Sequence, residues 1–406
     1  MNLIADLKTK KPATLFRLFF LVFFGSLGIL QPFLSLHYRE IGFDGIQISL
    51  LTVVSAVVLI LLAPQLGLFY DNSPHKRRLI LLSILVMALS LGLIPWLQAF
   101  AIILLLWTIH RLVNSSAIST LENLSFQVAH TGAFSRFGSV RLWGSIGFAS
   151  FALLGGWIYQ NTAITINNWI FIAFMLLAGL VFALLPRGLF DRAGSTEGVE
   201  GAPEKGLPMR GVLSLIICDR YLWFTVLALA LTDTLQDGFR SFEPLFMQDL
   251  GLTQSMIGLA STLSALGEVP FMLWGDRLIR RFGIRQMILF TFVFDLLRRG
   301  LVWLFPSPPL VFVLNVLTCV SFSFRLLSTI SLVNARIPKR YTTTALVFIS
   351  VTLYGLGHIL SSGLSGLIFD AFGARQLYLL GVGLCLMSLL VAILAGPEPK
   401  PAPTTA

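Results

Sequence analysis

Glu268 stands inside a long apolar segment, Gly267-Glu268-Val269-Pro270-Phe271-Met272-Leu273-Trp274. A bilayer core holds no water, and a charged side chain there costs roughly 2.5–3.5 kcal/mol on insertion scales. Such a carboxylate persists by holding a proton, pairing with a cation or facing a wet cavity. Each of these is what a proton- or solute-handling site needs. Beyond Trp274 the segment reads as a turn, with Gly275, Asp276, Arg277, Arg280 and Arg281 ahead of Gly283 and Arg285. Asp233, Asp237, Arg240 and Glu243 are spaced four, three and three, so they share one helix face. Asp237 and Arg240 can pair within that helix, which leaves Asp233 near mid-depth. Two readings stand: the stripe pairs with a neighbouring helix or lines an outer vestibule, or Asp233 or Asp237 takes and releases protons.

Further charges interrupt other apolar runs. Asp295 and Arg298 are three apart and can pair, while Arg299 points about 100° away and reads as snorkelling or bridging helices. Arg111, beside His110, is a cation near mid-depth that must face a cavity and meet a carboxylate or an anionic solute. Arg325 and His358 are weaker candidates, and a lone His among Gly355, Gly357 and Ser361 reads first as a packed residue. His37 reads as interfacial. Trp143 offers a ring on which a sugar or aromatic solute can stack.

The elements that must hold these residues follow from composition. Hydrophobic residues make up 56% of the 406-residue chain and charged ones 12%, against about 25% charged in soluble domains. The chain therefore reads as an all-α membrane protein. Apolar runs near 15–36, 47–69, 79–97, 100–122, 140–159, 168–185, 221–245, 255–274, 286–305, 309–333, 343–368 and 376–395 predict twelve spanning helices. Lys and Arg concentrate in alternate connections, with Lys76, Arg77 and Arg78 in one and Arg336, Lys339 and Arg340 in another. That alternation places both termini in the cytoplasm and explains the net charge of +10 by topology rather than by nucleic acid. The polar segment 186–220 reads as a cytoplasmic linker between six-helix bundles at 1–185 and 221–396, with 397–406 a cytoplasmic tail. The halves resemble each other: Pro32, Gly42 and Gly67…Asp71…Arg77 recur as Pro244, Gly251 and Gly275-Asp276-Arg277…Arg280. Cys218, Cys319 and Cys385 are far apart and give no metal spacing or disulfide framework.

Gly67-Leu68-Phe69-Tyr70-Asp71 with Lys76-Arg77-Arg78 resembles the hallmark loop of the major facilitator superfamily, and the likeness extends over the whole chain. Phe137-Gly138-Ser139-Val140-Arg141-Leu142-Trp143-Gly144-Ser145-Ile146-Gly147-Phe148 is similar to the fifth helix of its lactose-permease-like branch, which includes phenylpropionate permeases and nucleoside symporters. Glu268-Val269-Pro270 and Arg277-Leu278-Ile279-Arg280-Arg281-Phe282-Gly283 fit the same branch. The resemblance implies two pseudo-symmetric bundles and a solute site that includes Glu122, Arg141 and Arg298. It implies that Glu268, next to Arg298, alternates between proton and guanidinium. The branch's helix-ten His and Glu have no counterpart in Ser321-Phe322-Ser323-Phe324-Arg325-Leu326-Leu327. Gly67, Asp71, Arg77, Gly275, Asp276, Arg277 and Arg280 then form a cytoplasmic gate. Gly144, Gly147, Gly155 and Gly156, with Gly355, Gly357, Gly363 and Gly366, are where helices slide past one another.

The expectation is a monomeric, multi-pass secondary active transporter of the bacterial cytoplasmic membrane. It binds a sugar, nucleoside or aromatic acid together with protons, needs no cofactor or metal, and is driven by the proton gradient. Its acids and arginines converge on one watery pocket. The alternatives are a proton-independent facilitator or exporter of the same fold and a multispanning enzyme. No Gly-rich loop with Gly-Lys-Ser/Thr is present to hold ATP, and the five histidines are too scattered for an enzyme's cluster.

Overall fold

The computed structural model describes residues 2–73, 75–97, 99–130, 137–164, 166–186, 209–234, 236–338 and 341–397. Most of the expected linker and the tail lie outside these. Where no water solvates the backbone, each N–H and C=O must be satisfied within its own segment, so apolar runs of this length become helices. The helices are α1 (Asn2–Leu30), α2 (Leu34–Glu40), α3 (Gly45–Asn72), α4 (Lys76–Gly92), α5 (Phe100–His130), α6 (Phe137–Asn161) and α7 (Ile166–Ala183). They continue as α8 (Met209–Cys218), α9 (Arg220–Asp233), α10 (Gln236–Asp249), α11 (Gln254–Phe282), α12 (Ile284–Leu304) and α13 (Pro308–Val316). Last come α14 (Thr318–Arg336), α15 (Thr342–Val347), a π-helical turn (Phe348–Leu353), α16 (Tyr354–Phe372) and α17 (Arg375–Leu394). Among the described residues there is no strand, all twelve apolar runs are helical, and eight hold helices long and apolar enough to cross a membrane.

The repeated prolines and glycines have matching local effects. Pro32 sits in a short 3-10 turn that breaks the first run, and Pro244 lies inside α10. Gly42 and Gly251, which close those two runs, both have positive φ. One expectation changes. Gly275, Asp276, Arg277, Arg280 and Arg281 do not lie in a turn but in the last turns of α11, and Gly67 and Asp71 likewise lie within α3. Nothing in 275–282 breaks a helix, and Arg280 and Arg281 complement the negative C-terminal end. The turn comes at Gly283, whose φ of 80° suits a residue without Cβ.

Two compact units emerge: residues 1–200 with 252–266, and residues 201–251 with 267–406. In the first, α1 and α6 approach backbone to backbone. A Cβ on Gly28 would collide with Phe148, and one on Gly147 with the backbone of Leu21. The opposite side of α6 receives the first turns of α11, where Thr262 donates to the Ala149 carbonyl at 2.7 Å. Phe19, Phe20 and Phe23 fill the interior, with Phe19 5.1 Å from Phe182 of α7. In the second unit Leu222, Val226, Leu229, Phe292, Leu332 and Val333 form the core shared by α9, α12 and α14.

Gly147→Ala is expected to lower thermal stability in detergent by about 1–3 kcal/mol. Gly383→Ala, which meets open space, should be neutral or gain up to about 1 kcal/mol of helix propensity. Equal melting temperatures for the two variants would contradict this packing.

Candidate functional site

The second unit carries its charges inside. Asp295 on α12 is 1% exposed and accepts from Ser321 Oγ of α14 at 2.6 Å. Arg298 Nε lies 3.6 Å from Asp295 Oδ1, and Arg299 Nη2 lies 3.9 Å from Oδ2. Arg298 Nη1 is also 3.7 Å from Glu243 Oε1 on α10, and that carboxylate accepts from Tyr378 of α17 at 2.8 Å. The Asp295–Arg298 pair read from spacing is therefore present. Arg298 does not meet Glu268, however; Glu243 and Asp295 hold it instead. Arg299 is fully buried and does not snorkel. Its Nη1 donates to the Gly381 carbonyl and its Nη2 to that of Thr232, each at 3.4 Å, and it lies 5.0 Å from the Phe239 ring centroid. It thus bridges α9, α12 and α17.

A second knot joins α9, α10, α14 and α16. Asp233 Oδ1 meets Arg325 Nε at 2.9 Å, and its Oδ2 meets His358 Nε2 at 2.8 Å. The Gln236 oxygen, turned toward the guanidinium, accepts from Arg325 Nη1 and Nη2 at 3.1 and 2.9 Å. Asp233 is thus paired rather than left alone at mid-depth, and its partners are the two residues that spacing ranks lowest. The signal available in the sequence is arithmetic: an acid in oil needs a base, and Arg325 is a cation inside the tenth run. Three arginines (298, 299 and 325) balance three acids (233, 243 and 295), and all of these side chains are 10% exposed or less. Arg240 is exposed on α10, and the Asp237 side chain falls outside the described residues.

Glu268 differs from these. It is half-buried on α11, and among the described residues no cation lies within 4 Å of its carboxylate. The charge of Arg240 reaches it only from further away. A carboxylate so placed, without an ion pair, must be protonated or wetted.

In the first unit Arg141 Nε of α6 donates to Glu122 Oε1 of α5 at 2.8 Å, and the two side chains keep 35% and 38% exposure. Arg141 also lies 4.4 Å from the centroid of the Phe24 ring on α1. Gly144, one turn along, lets this ring and guanidinium approach α6. The pair offers carboxylate acceptors and guanidinium donors side by side at an open surface. Trp143 is exposed, and Arg111 is half-buried. His110 is buried and stacks on Trp107 at 5.5 Å. His37, near the end of α2, is 1% exposed and packed within the protein.

At the ends expected to face the cytoplasm, Arg77 donates to the Ala183 carbonyl at the end of α7. Gly275 packs under Leu327, and Arg277 and Arg280 are exposed at the end of α11. The Asp71 and Asp276 side chains fall outside the described residues. Asp219, which caps α9, pairs instead with Arg336 at the end of α14, 3.4 Å away. Among the described residues no three His, Cys, Asp or Glu side chains group as metal ligands.

Charges packed in pairs inside long apolar helices are what an integral, multi-pass membrane protein must bury. The chain belongs to the MFS_1 like family, whose model matches residues 14–380, and its fold is the all-α major facilitator fold. It is 27% identical over 397 residues to the maltose permease of Geobacillus stearothermophilus, covering 96% of each chain. It is 23% identical over 340 residues to the probable 3-phenylpropionic acid transporter of Escherichia coli K12, covering 83% of this chain and 86% of that one. The structure of the nucleoside transporter NupG superposes with a TM-score of 0.80 at 16% identity, over 95% of this chain and 99% of the other. The protein is a secondary transporter, as its family and relatives are; they are not enzymes.

Asp295→Ala leaves two buried guanidinium groups short of a carboxylate and is expected to cost about 3–5 kcal/mol. Glu122→Ala breaks a half-exposed pair and should cost about 1 kcal/mol or less. Thermal unfolding in detergent checks the order; equal losses would contradict it.

Proposed function

We propose that the protein moves a small polar organic solute together with protons, by alternating access of its site to the two sides of a bacterial cytoplasmic membrane. Glu268 carries this reading, as a half-buried carboxylate with no cation within 4 Å among the described residues. It is suited to cross the cycle neutral, holding a proton, and to release that proton when wetted. Glu122 and Arg141 are the solute-binding pair. Their adjoining acceptors and donors match a solute rich in hydroxyls or ring nitrogens, with Trp143 and Arg111 as further contacts. The classes are a sugar, a nucleoside or an aromatic acid, and the maltose and phenylpropionic acid transporters among its relatives support them. Asp233, Asp237, Arg240 and Asp295 serve as the charge network around the proton site. Gly67, Asp71, Arg77, Gly275, Asp276, Arg277 and Arg280 govern cytoplasmic closure. The proton gradient is the driving force, no cofactor is required, the working unit is a monomer and both termini are cytoplasmic.

A thermal-shift screen of the purified protein against maltose, sucrose, uridine and 3-phenylpropionate is expected to find a stabilising solute. Glu268→Gln should then abolish accumulation of that solute driven by a pH gradient while leaving solute exchange intact in proteoliposomes. Full accumulation by Glu268→Gln would rule the reading out.

A further inference from the structure

We infer that His358 is a second proton-binding site of the transport cycle, paired with Asp233 on the unit that carries Glu268. The inference rests on the proton-coupled reading above and adds a site to it.

Two contacts of one carboxylate define the pair. Asp233 Oδ1 is held by Arg325 Nε at 2.9 Å, so the carboxylate is ionised and only accepts. Its Oδ2 lies 2.8 Å from His358 Nε2, and that nitrogen must therefore carry the hydrogen and donate it. This fixes which nitrogen of the ring titrates. A proton gained or lost by His358 is gained or lost at Nδ1, while the Nε2–H bond to Asp233 persists in both states. The histidine side chain keeps 24% exposure and Asp233 9%, so of the two it is His358 that has an edge outside the packed interior.

The charge balance gives that proton its consequence. With His358 neutral, the positive charges of Arg298, Arg299 and Arg325 are matched by Asp233, Glu243 and Asp295. Protonating His358 adds one positive charge to this set, placed against a carboxylate that α9, α14 and α16 share. Among the described contacts, Asp233 from α9 lies against His358, Arg325 from α14 holds the same carboxylate, and Arg240 of α10 acts on Asp233 from further away. Tyr354, one turn earlier on α16, is hydrogen-bonded at 3.3 Å to Thr329 of α14, and Tyr378 of α17 is occupied by Glu243. Asp233 therefore divides its negative charge between a permanent cation and a switchable one. Protonating His358 draws Asp233 toward α16; releasing the proton leaves it to Arg325. The π-helical turn at Phe348–Leu353 directly precedes α16, and such turns give a helix a place to adjust. Close packing of Gly357 against Thr234 and of Gly238 against Ser365 couples α16 to the end of α9 and to α10.

The test uses the whole protein. With 15N-labelled histidine in micelles, the ring signals absent from His358→Gln identify His358. They should show the Nε2–H tautomer at high pH and take a proton at Nδ1 as the pH falls from about 8 to about 5. In proteoliposomes with maltose as the probe solute, protons moved per maltose should fall by about one in His358→Gln, with downhill maltose uptake retained. A ring locked in one protonation state, an Nδ1–H tautomer, or an unchanged ratio in the variant overturns the inference. If wild type carries maltose without protons, the proton-coupled reading fails and the place of His358 in the cycle fails with it. The ring signals then still report separately whether His358 binds a proton.

Discussion

Ionic groups inside an apolar bundle set the terms for the rest of this molecule. In oil a charge must be matched at short range, neutralised or wetted, because nothing else solvates it. The second unit matches three arginines with three acids over helices α9, α10, α12 and α14, with Tyr378 and the Gly381 carbonyl of α17 completing the shell. Arg299 also finds the Thr232 carbonyl and the Phe239 ring, and Arg325 the amide oxygen of Gln236. These contacts are worth little as net stability compared with apolar packing. Their value is that removing one partner is costly, so they hold the helices in register.

Among the described residues, two acids of the long helices are less enclosed than these. Glu268 is half-buried with no ion-pairing cation among the described residues, and Glu122 shares an open pair with Arg141. The enclosed acids tie the helices together, and in the proposed function it is the accessible ones that exchange a proton or a hydrogen bond. The glycines of the seam between α1 and α6 let the two backbones touch directly.

Much of this is legible in the chain alone. Apolar runs of about twenty residues locate helices well because the bilayer leaves the backbone no alternative. The pairing of Glu122 with Arg141 follows from the family resemblance, and that of Asp295 with Arg298 from their spacing on one helix. Partners on different helices are harder to read. Periodicity fixes which residues share a face but not what that face meets, so the partner expected for Arg298 from another helix is Glu268, whereas Glu243 takes that place. Arg325 and His358 rank low for the same reason, since their role depends on Asp233, far away in the chain. The basic stretch 275–281 reads as a turn because its composition is polar. Helix α11 simply continues past the apolar boundary until Gly283 stops it.

The most direct test of the account is which positions in the spans water can reach. In a background with Cys218, Cys319 and Cys385 replaced, Glu122→Cys, Glu268→Cys and Leu360→Cys are each treated in membrane vesicles with a water-soluble maleimide. Leu360 is an exposed apolar position on α16 and serves as the lipid-facing control. The account predicts labelling at 122 and 268, reduced by the stabilising solute, and none at 360. Labelling at 268 no greater than at 360 would contradict it, for a carboxylate that water never reaches cannot take up and release a proton.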